Sequence, residues 1–303
     1  MESGASVEQI RRVGMRGEAG TAVRERRWRR PPVRRVLLWL SVVLIMLFCL
    51  FPFYWLINVS LKTGAELSRA DLLPPSPSLD NYDSIFNNAA FTKALRNSAI
   101  IAFSTTILSL LIGSFAGYAL ARLRFRFKFV LLAIILSVTT FPPIAIAAPL
   151  FKFWTDLDIY DTLYGLIPPF LAFTLPLTIY VLASFFREIP RDLTEAALVD
   201  GATHFQAFRK VVMPLAAPGL VTAGLLSFIW AWNEFLLAIT LTSSPEARPV
   251  PPALAFFTGS QQFEVPLGTI TAALVVVTVP LVVLVLIFQK RIVAGLTAGA
   301  VKG

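Results

Sequence analysis

Apolar residues along this chain gather into six long blocks, 36–59, 98–121, 129–151, 163–186, 215–241 and 269–288, and the polar residues collect between them. Each block runs 20 to 27 residues, enough for an α-helix to cross a hydrocarbon core about 30 Å thick. Five carry no charged residue, and the fifth block holds only Glu234. No block alternates apolar and polar positions over about ten residues, as a spanning β-strand would. The pattern predicts an all-α polytopic membrane protein with six transmembrane helices.

Composition removes one functional class. The 303 residues are 56% hydrophobic and 15% charged, against about 25% charged in a soluble domain, which excludes a wholly soluble enzyme. The net charge of +9 is informative through its distribution. Assigning alternate loops to opposite sides places 21 of the 27 basic residues on one side: in 1–35, 122–128, 187–213 and the tail from 289. Short basic loops stay cytoplasmic, so both termini are expected inside, with loops 60–97, 152–162 and 242–268 outside. The basic balance then needs no nucleic-acid partner; its partner is the lipid bilayer.

Segment 1–35 holds ten Arg and four Glu and is expected to be a disordered cytoplasmic topology determinant; its Arg residues around Trp28 could also lie against anionic headgroups. The apolar run after it is too long for a signal peptide, so it should stay attached. Residues 36–288 form the membrane domain and 289–303 a cytoplasmic tail. Cys49 is the single cysteine; it is expected to be packed, and no internal disulfide can form. Asn58-Val59-Ser60 fits a glycosylation triplet but abuts a span.

In the first outer loop, consecutive prolines make Leu73 to Ser78 a stiff connector. Asp80 to Leu95 fits a surface helix or a plain linker. Loop 187–214 carries more information. Asp192 can cap a helix with Glu195 at its third position, and Gly201 suits the left-handed residue that ends one. Thr203 and Gln206 make a strict capping box, and Pro214 is expected to stop the second helix. Small Ala196 and Ala197 allow close approach, while Phe205, Phe208 and Val212 recur at helical spacing. Such a pair, hinged at a glycine, can insert into another protein or pack on its own spans.

The run Glu195-Ala196-Ala197 through Asp200-Gly201-Ala202, followed by Phe208 and Pro214, closely resembles the cytoplasmic signature of permease subunits of binding-protein-dependent ABC importers. Asn97-Ser98, Gly117-Tyr118-Ala119-Leu120-Ala121-Arg122, Trp232-Asn233-Glu234-Phe235 and the tail from Gly295 to Gly303 resemble the maltose-type carbohydrate permeases, from about residue 36 to the end. Actinobacterial disaccharide permeases, trehalose importers among them, are most similar. The long Arg-rich start departs from shorter members.

The resemblance implies a type I ABC importer permease fold in the bacterial inner membrane, and a transport subunit rather than an enzyme. It implies four kinds of partner: a second, different permease, two ATPase subunits, an extracytoplasmic sugar-binding protein, and the lipid. ATP and Mg belong to the partner ATPase, and no cofactor or metal to this chain, which also lacks a Gly-x4-Gly-Lys-Ser/Thr loop. Glu195, Ala196, Ala197, Asp200, Gly201 and Phe208 would couple to the ATPase. Gly295, Leu296, Thr297 and Gly299 would reach between the ATPase subunits along an extended path.

Glu234 lies 20 residues above Pro214, about 30 Å at 1.5 Å per residue, and so is expected at the outer interface. Trp230, Trp232, Asn233 and Glu234 read as an outer gate or binding-protein contact, or, for the tryptophans, as interface anchors. Pro142, Pro143, Pro168, Pro169 and Pro176 free backbone carbonyls inside the membrane, and broken helices often line cavities. Lone His204 is expected on a helix surface. An ion-coupled secondary transporter is the rival reading, but such proteins place titratable groups near the midplane and show internal repeats; neither is visible.

Overall fold

The computed structural model describes residues 32–124, 126–257 and 266–298, with the backbone alone beyond 289. Two compact units divide the chain, 1–51 and 52–303. Expectations for 1–31 and for Gly299 to Gly303 lie outside the described residues. The described part of the first unit is helical throughout, the beginning of α1 (Pro32–Ser60), so the first span starts four residues earlier than its apolar block. Cys49 is exposed on it, not packed, since α1 is apolar on all sides and a thiol there can face hydrocarbon.

The second unit holds the rest. After α1 come a 3-10 turn (Gly64–Ser68), α2 (Asp80–Asn87) and α3 (Ala89–Arg122). Asn88 separates α2 from α3: its Oδ1 accepts the N–H groups of Ala90 at 2.9 Å and Phe91 at 3.1 Å, a side-chain N-cap. The expected surface helix over 80–95 is therefore two helices. Next are α4 (Lys128–Ser137), α5 (Pro143–Asp156) and α6 (Leu163–Glu188), then the loop helices α7 (Arg191–Val199) and α8 (His204–Leu215). The chain closes with α9 (Ala217–Asn233), α10 (Leu236–Leu241), α11 (Val250–Ala255) and α12 (Leu267–Ala298).

Four helices, α1, α3, α6 and α12, are long and apolar enough to cross a membrane. Two bent pairs are long and apolar enough when each is taken as one span: α4 with α5, turning by 87°, and α8 with α9, by 76°. The third block is thus broken where Pro142 and Pro143 interrupt the backbone ladder. The fifth block, expected as one helix over 215–241, ends at Asn233 and resumes at Leu236.

Helices α3, α6 and α9 form the centre, with α12 along α9 and α5 against α10. Lipid gives little hydrophobic drive for helices to associate, so close packing must do it. A Cβ added to Gly117 would stand 3.1 Å from the Ala183 backbone nitrogen and 3.2 Å from the Ile179 oxygen, and one on Gly113 2.7 Å from Thr178 Cγ2. These two glycines, four residues apart, let α3 lie on α6. Ser109 Oγ adds a hydrogen bond to Thr178 Oγ1 at 3.0 Å.

The loop after α1 is tied down by Lys62, whose side chain is fully buried. Its Nζ donates to the carbonyls of Arg69 at 3.1 Å and Asp71 at 2.9 Å and lies 5.4 Å over the Trp55 ring. Asn81 Nδ2 donates to the carbonyls of Ser60 at 2.9 Å and Lys62 at 2.8 Å. Asn58 is buried, and its amide donates to Leu72 O, so the glycosylation triplet is inaccessible.

Candidate functional site

The loop between α6 and α9 folds as two helices jointed at Gly201, as its sequence predicts. Gly201 has φ +87°, and a Cβ there would meet nothing within 4 Å, so the constraint is backbone conformation alone. It closes a Schellman motif: Ala202 N–H donates to Ala197 O at 3.0 Å and Gly201 N–H to Leu198 O at 3.1 Å. The Thr203–Gln206 capping box is present, with Gln206 N–H on Thr203 Oγ1 at 3.2 Å and Thr203 N–H on Gln206 Oε1 at 2.8 Å.

Two expectations for this loop are corrected. Asp192 does not cap α7, because Pro190 holds extended backbone at the cap and the helix starts at Arg191, placing Asp192 inside the first turn. Pro214 does not stop α8. The helix passes through a wider turn of π-helix at Phe208–Val212, continues over Met213–Leu215 and breaks at Ala216.

Phe205 and Phe208 point to different neighbours. Phe205 is exposed, as are Glu195, Ala196, Asp200, Gly201 and His204, while Ala197 is half-buried. Phe208 is buried, its ring centroid 4.8 Å from Tyr118, 5.4 Å from Phe115 and 6.2 Å from Phe186. It therefore grips α3 and α6 of its own chain and is not part of the exposed face, although its ring also lies 6.5 Å from that of Phe205. Arg122 adds a second tie, Nη2 donating to Ile189 O at 2.8 Å.

At the opposite end of α3, Asn97 Nδ2 donates to the carbonyls of Glu246 at 2.9 Å and Arg248 at 3.1 Å, and Ser98 Oγ accepts Val250 N–H at 2.8 Å. Lys93 pairs with Glu246 at 2.7 Å across an exposed surface. Asp161, with φ 57°, reaches the same loop: Oδ1 accepts the N–H groups of Ser243 at 2.8 Å and Ser244 at 3.0 Å. Partial burial alone would raise the Asp161 carboxyl, but the hydrogen bonds from Ser244 and Ser243 together outweigh it and hold the pKa below its ordinary value.

Of the residues expected to gate this end, Trp230 stacks on Phe173 with centroids 5.6 Å apart, and Trp232 is buried against Phe228 at 5.5 Å. Asn233 is exposed and donates back to Ile229 O at 2.7 Å. Glu234 is expected at the outer interface, as part of a gate or a binding-protein contact. Its side chain is buried within the chain, Oε1 accepting Leu237 N–H at 2.9 Å and Oε2 accepting Ala238 N–H at 3.0 Å. The side chain takes over the donors that the helix break leaves open, so it is not available to another protein.

The prolines divide similarly. The Pro142–Pro143 break stands, but Pro168, Pro169 and Pro176 lie within one continuous α6. The carbonyl that Pro169 frees, that of Gly165, accepts Trp154 Nε1–H at 2.6 Å and does not open onto a path. A cleft of about 290 Å³ between α3, α9 and α12 is lined by apolar groups such as Phe103, Phe228 and Phe288, a lining suited to hydrocarbon. Gly295, Leu296 and Thr297 are helical at the end of α12, in contrast to the extended path expected, because α12 runs on to Ala298.

A two-helix loop at one end and a stapled loop at the other frame a bundle of spans, and comparison with known proteins assigns that arrangement. The profile described as "Binding-protein-dependent transport system inner membrane component" matches residues 109–297. The chain belongs to this family. The permease is 49% identical to the trehalose transport system permease protein SugB of Mycobacterium tuberculosis (strain CDC 1551 / Oshkosh), over 89% of this chain and 99% of the relative. It is 43% identical to the sulfoquinovosyl glycerol transport system permease protein SmoH of Agrobacterium fabrum (strain C58 / ATCC 33970), over 84% of this chain and 89% of the relative. A chain in the crystal structure of a bacterial ABC transporter involved in the import of the acidic polysaccharide alginate superposes with a TM-score of 0.70 at 25% identity, covering 86% of this chain and 97% of that one. The protein is thus a multi-pass permease of the cell membrane with the ABC importer permease fold, and not itself an enzyme.

Asp161, Trp154 and Lys62 carry no local motif and were not singled out from sequence. Asn97-Ser98 was, as part of the carbohydrate-permease resemblance, and its hydrogen bonds give those two residues a physical role.

Proposed function

We propose that this permease is one half of the translocation path of an ATP-driven carbohydrate importer. The observation that carries the reading is the jointed α7–α8 element, exposed at Glu195, Ala196 and Phe205 yet fastened to α3 and α6 through Phe208. Such an element receives a displacement from outside and passes it to the spans. Glu195, Ala196, Asp200 and Gly201 form its outer surface, with Ala197 half-buried beside them, and Phe208 is its inner grip.

In this reading the loop seats on a separate ATPase subunit, which binds ATP and Mg; two such subunits serve this permease and a second, different one. The tail residues Gly295, Leu296, Thr297 and Gly299 meet the same ATPase. The distribution of basic residues puts that end and both termini in the cytoplasm. An extracytoplasmic sugar-binding protein delivers substrate to the other end, near Trp230, Trp232 and Asn233, with Glu234 holding the backbone behind them. The substrate is a glycoside, and trehalose or a similar disaccharide is the specific proposal, supported by the name of the mycobacterial relative.

Reconstitution of the permease with those partners in liposomes tests this. Labelled trehalose should enter only with ATP and should continue to enter with a proton ionophore present. Uptake without nucleotide, or uptake abolished by the ionophore, would replace this reading with ion-coupled transport.

A further inference from the structure

We propose that Arg122 and Arg191 together form a binding site for the phosphate of an anionic phospholipid headgroup. Arg122 ends α3 one residue past the apolar block 98–121, where hydrocarbon gives way to headgroups. Its Nη2 donates to Ile189 O at 2.8 Å, so the guanidinium reaches the corner between α6 and α7. Arg191 opens α7 two residues after Ile189 and is exposed. The backbone thereby brings a second, exposed arginine to the corner that the Arg122 guanidinium already occupies.

Among the described residues no carboxylate lies within ion-pair distance of either arginine; the ion pair the structure holds, Lys93–Glu246, is at the other end of α3. Like charges held at one corner favour an anion between them, and the flat guanidinium fork matches phosphate oxygens. At headgroup depth the phosphates at hand are those of lipids. A zwitterionic lipid offsets its phosphate with its own cation, whereas an anionic lipid leaves net charge for the arginines. A lipid held here braces the point where the jointed loop leaves the bundle. The proposal needs only a membrane-embedded chain and is independent of what the permease carries.

The test uses the full-length chain purified with the subunits it assembles with. It is titrated with phosphatidylglycerol and with phosphatidylcholine of the same acyl chains, and native mass spectrometry counts the bound lipid. Phosphatidylglycerol should be retained in preference, and Arg122→Gln and Arg191→Gln should each weaken it about fivefold, the effect of one basic residue near the surface. Arg191 is exposed, so its substitution tests the site even if Arg122→Gln fails to fold. Arg126→Gln, on the neighbouring loop, should leave retention unchanged, and excess inorganic phosphate should not displace the lipid. Equal retention of both lipids, no loss with Arg191→Gln, an equal loss with Arg126→Gln, or displacement by inorganic phosphate would overturn the site. ATP-driven uptake by the wild type is read separately, so failure here leaves the transport reading intact.

Discussion

The indole N–H of Trp154 donates to the carbonyl of Gly165 at 2.6 Å, supplying the donor that Pro169 takes away from that turn of α6. A proline inside a span is thus stabilised by a side chain from the preceding helix.

Trp154→Phe keeps the ring and removes the N–H, leaving a buried acceptor unpaired at a cost of about 1–3 kcal/mol. Thermal unfolding of the detergent-purified permease should shift down by about 2–4 °C per kcal/mol. An unchanged midpoint would mean the carbonyl has another donor.

Asp161 joins the loop before α6 to the loop after α10 through Ser243 and Ser244. Its carboxyl is held below the ordinary value, so the folded state binds a proton less readily than the unfolded chain. The stability it contributes is present above about pH 4, the unfolded value, and is lost as pH falls through the lower folded value. Asp161→Asn should remove that contribution at neutral pH. The difference in unfolding midpoint between wild type and variant should shrink on acidification; a constant difference would place the effect elsewhere.

Both oxygens of Glu234 accept backbone N–H groups. Glu234→Gln keeps one acceptor and turns an amide N–H2 toward the other donor, at a cost of about 1–3 kcal/mol; Glu234→Ala loses both. Limited proteolysis should therefore cut the region around α10 faster in the order Ala, Gln, wild type. Equal protection in all three would show that the cap is dispensable.

Gly201→Val meets no atom but forces a β-branched residue to φ +87°. The joint should distort while the spans stay packed, so membrane levels hold and ATP-driven uptake falls at least about tenfold, a distortion of roughly 1.4 kcal/mol or more in the coupling step. Normal uptake with normal membrane levels would show that the joint does not transmit.

What the sequence displayed, it displayed through local chemistry. The apolar blocks, the Gly201 turn and the Thr203–Gln206 box each depend on residues a few positions apart. Asp192 misled because Pro190, rather than a side-chain acceptor, sets the start of α7. The break at Glu234 stayed hidden because a buried carboxylate that binds its own backbone does not interrupt an apolar pattern. Asn97 with Glu246 and Asp161 with Ser243 are pairs 149 and 82 residues apart, a distance over which periodicity carries no information. The Phe residues of α8 could not be sorted either, since Phe205 and Phe208 are three positions apart and only the contacts of Phe208 with Tyr118 and Phe186, distant in sequence, separate them.

Phe208 sits among rings from two other helices while Phe205, three positions back, looks outward. A protein that seated on the outward ring would handle a crank already keyed to its shaft: backlash at this joint would require three aromatic contacts to slip at once.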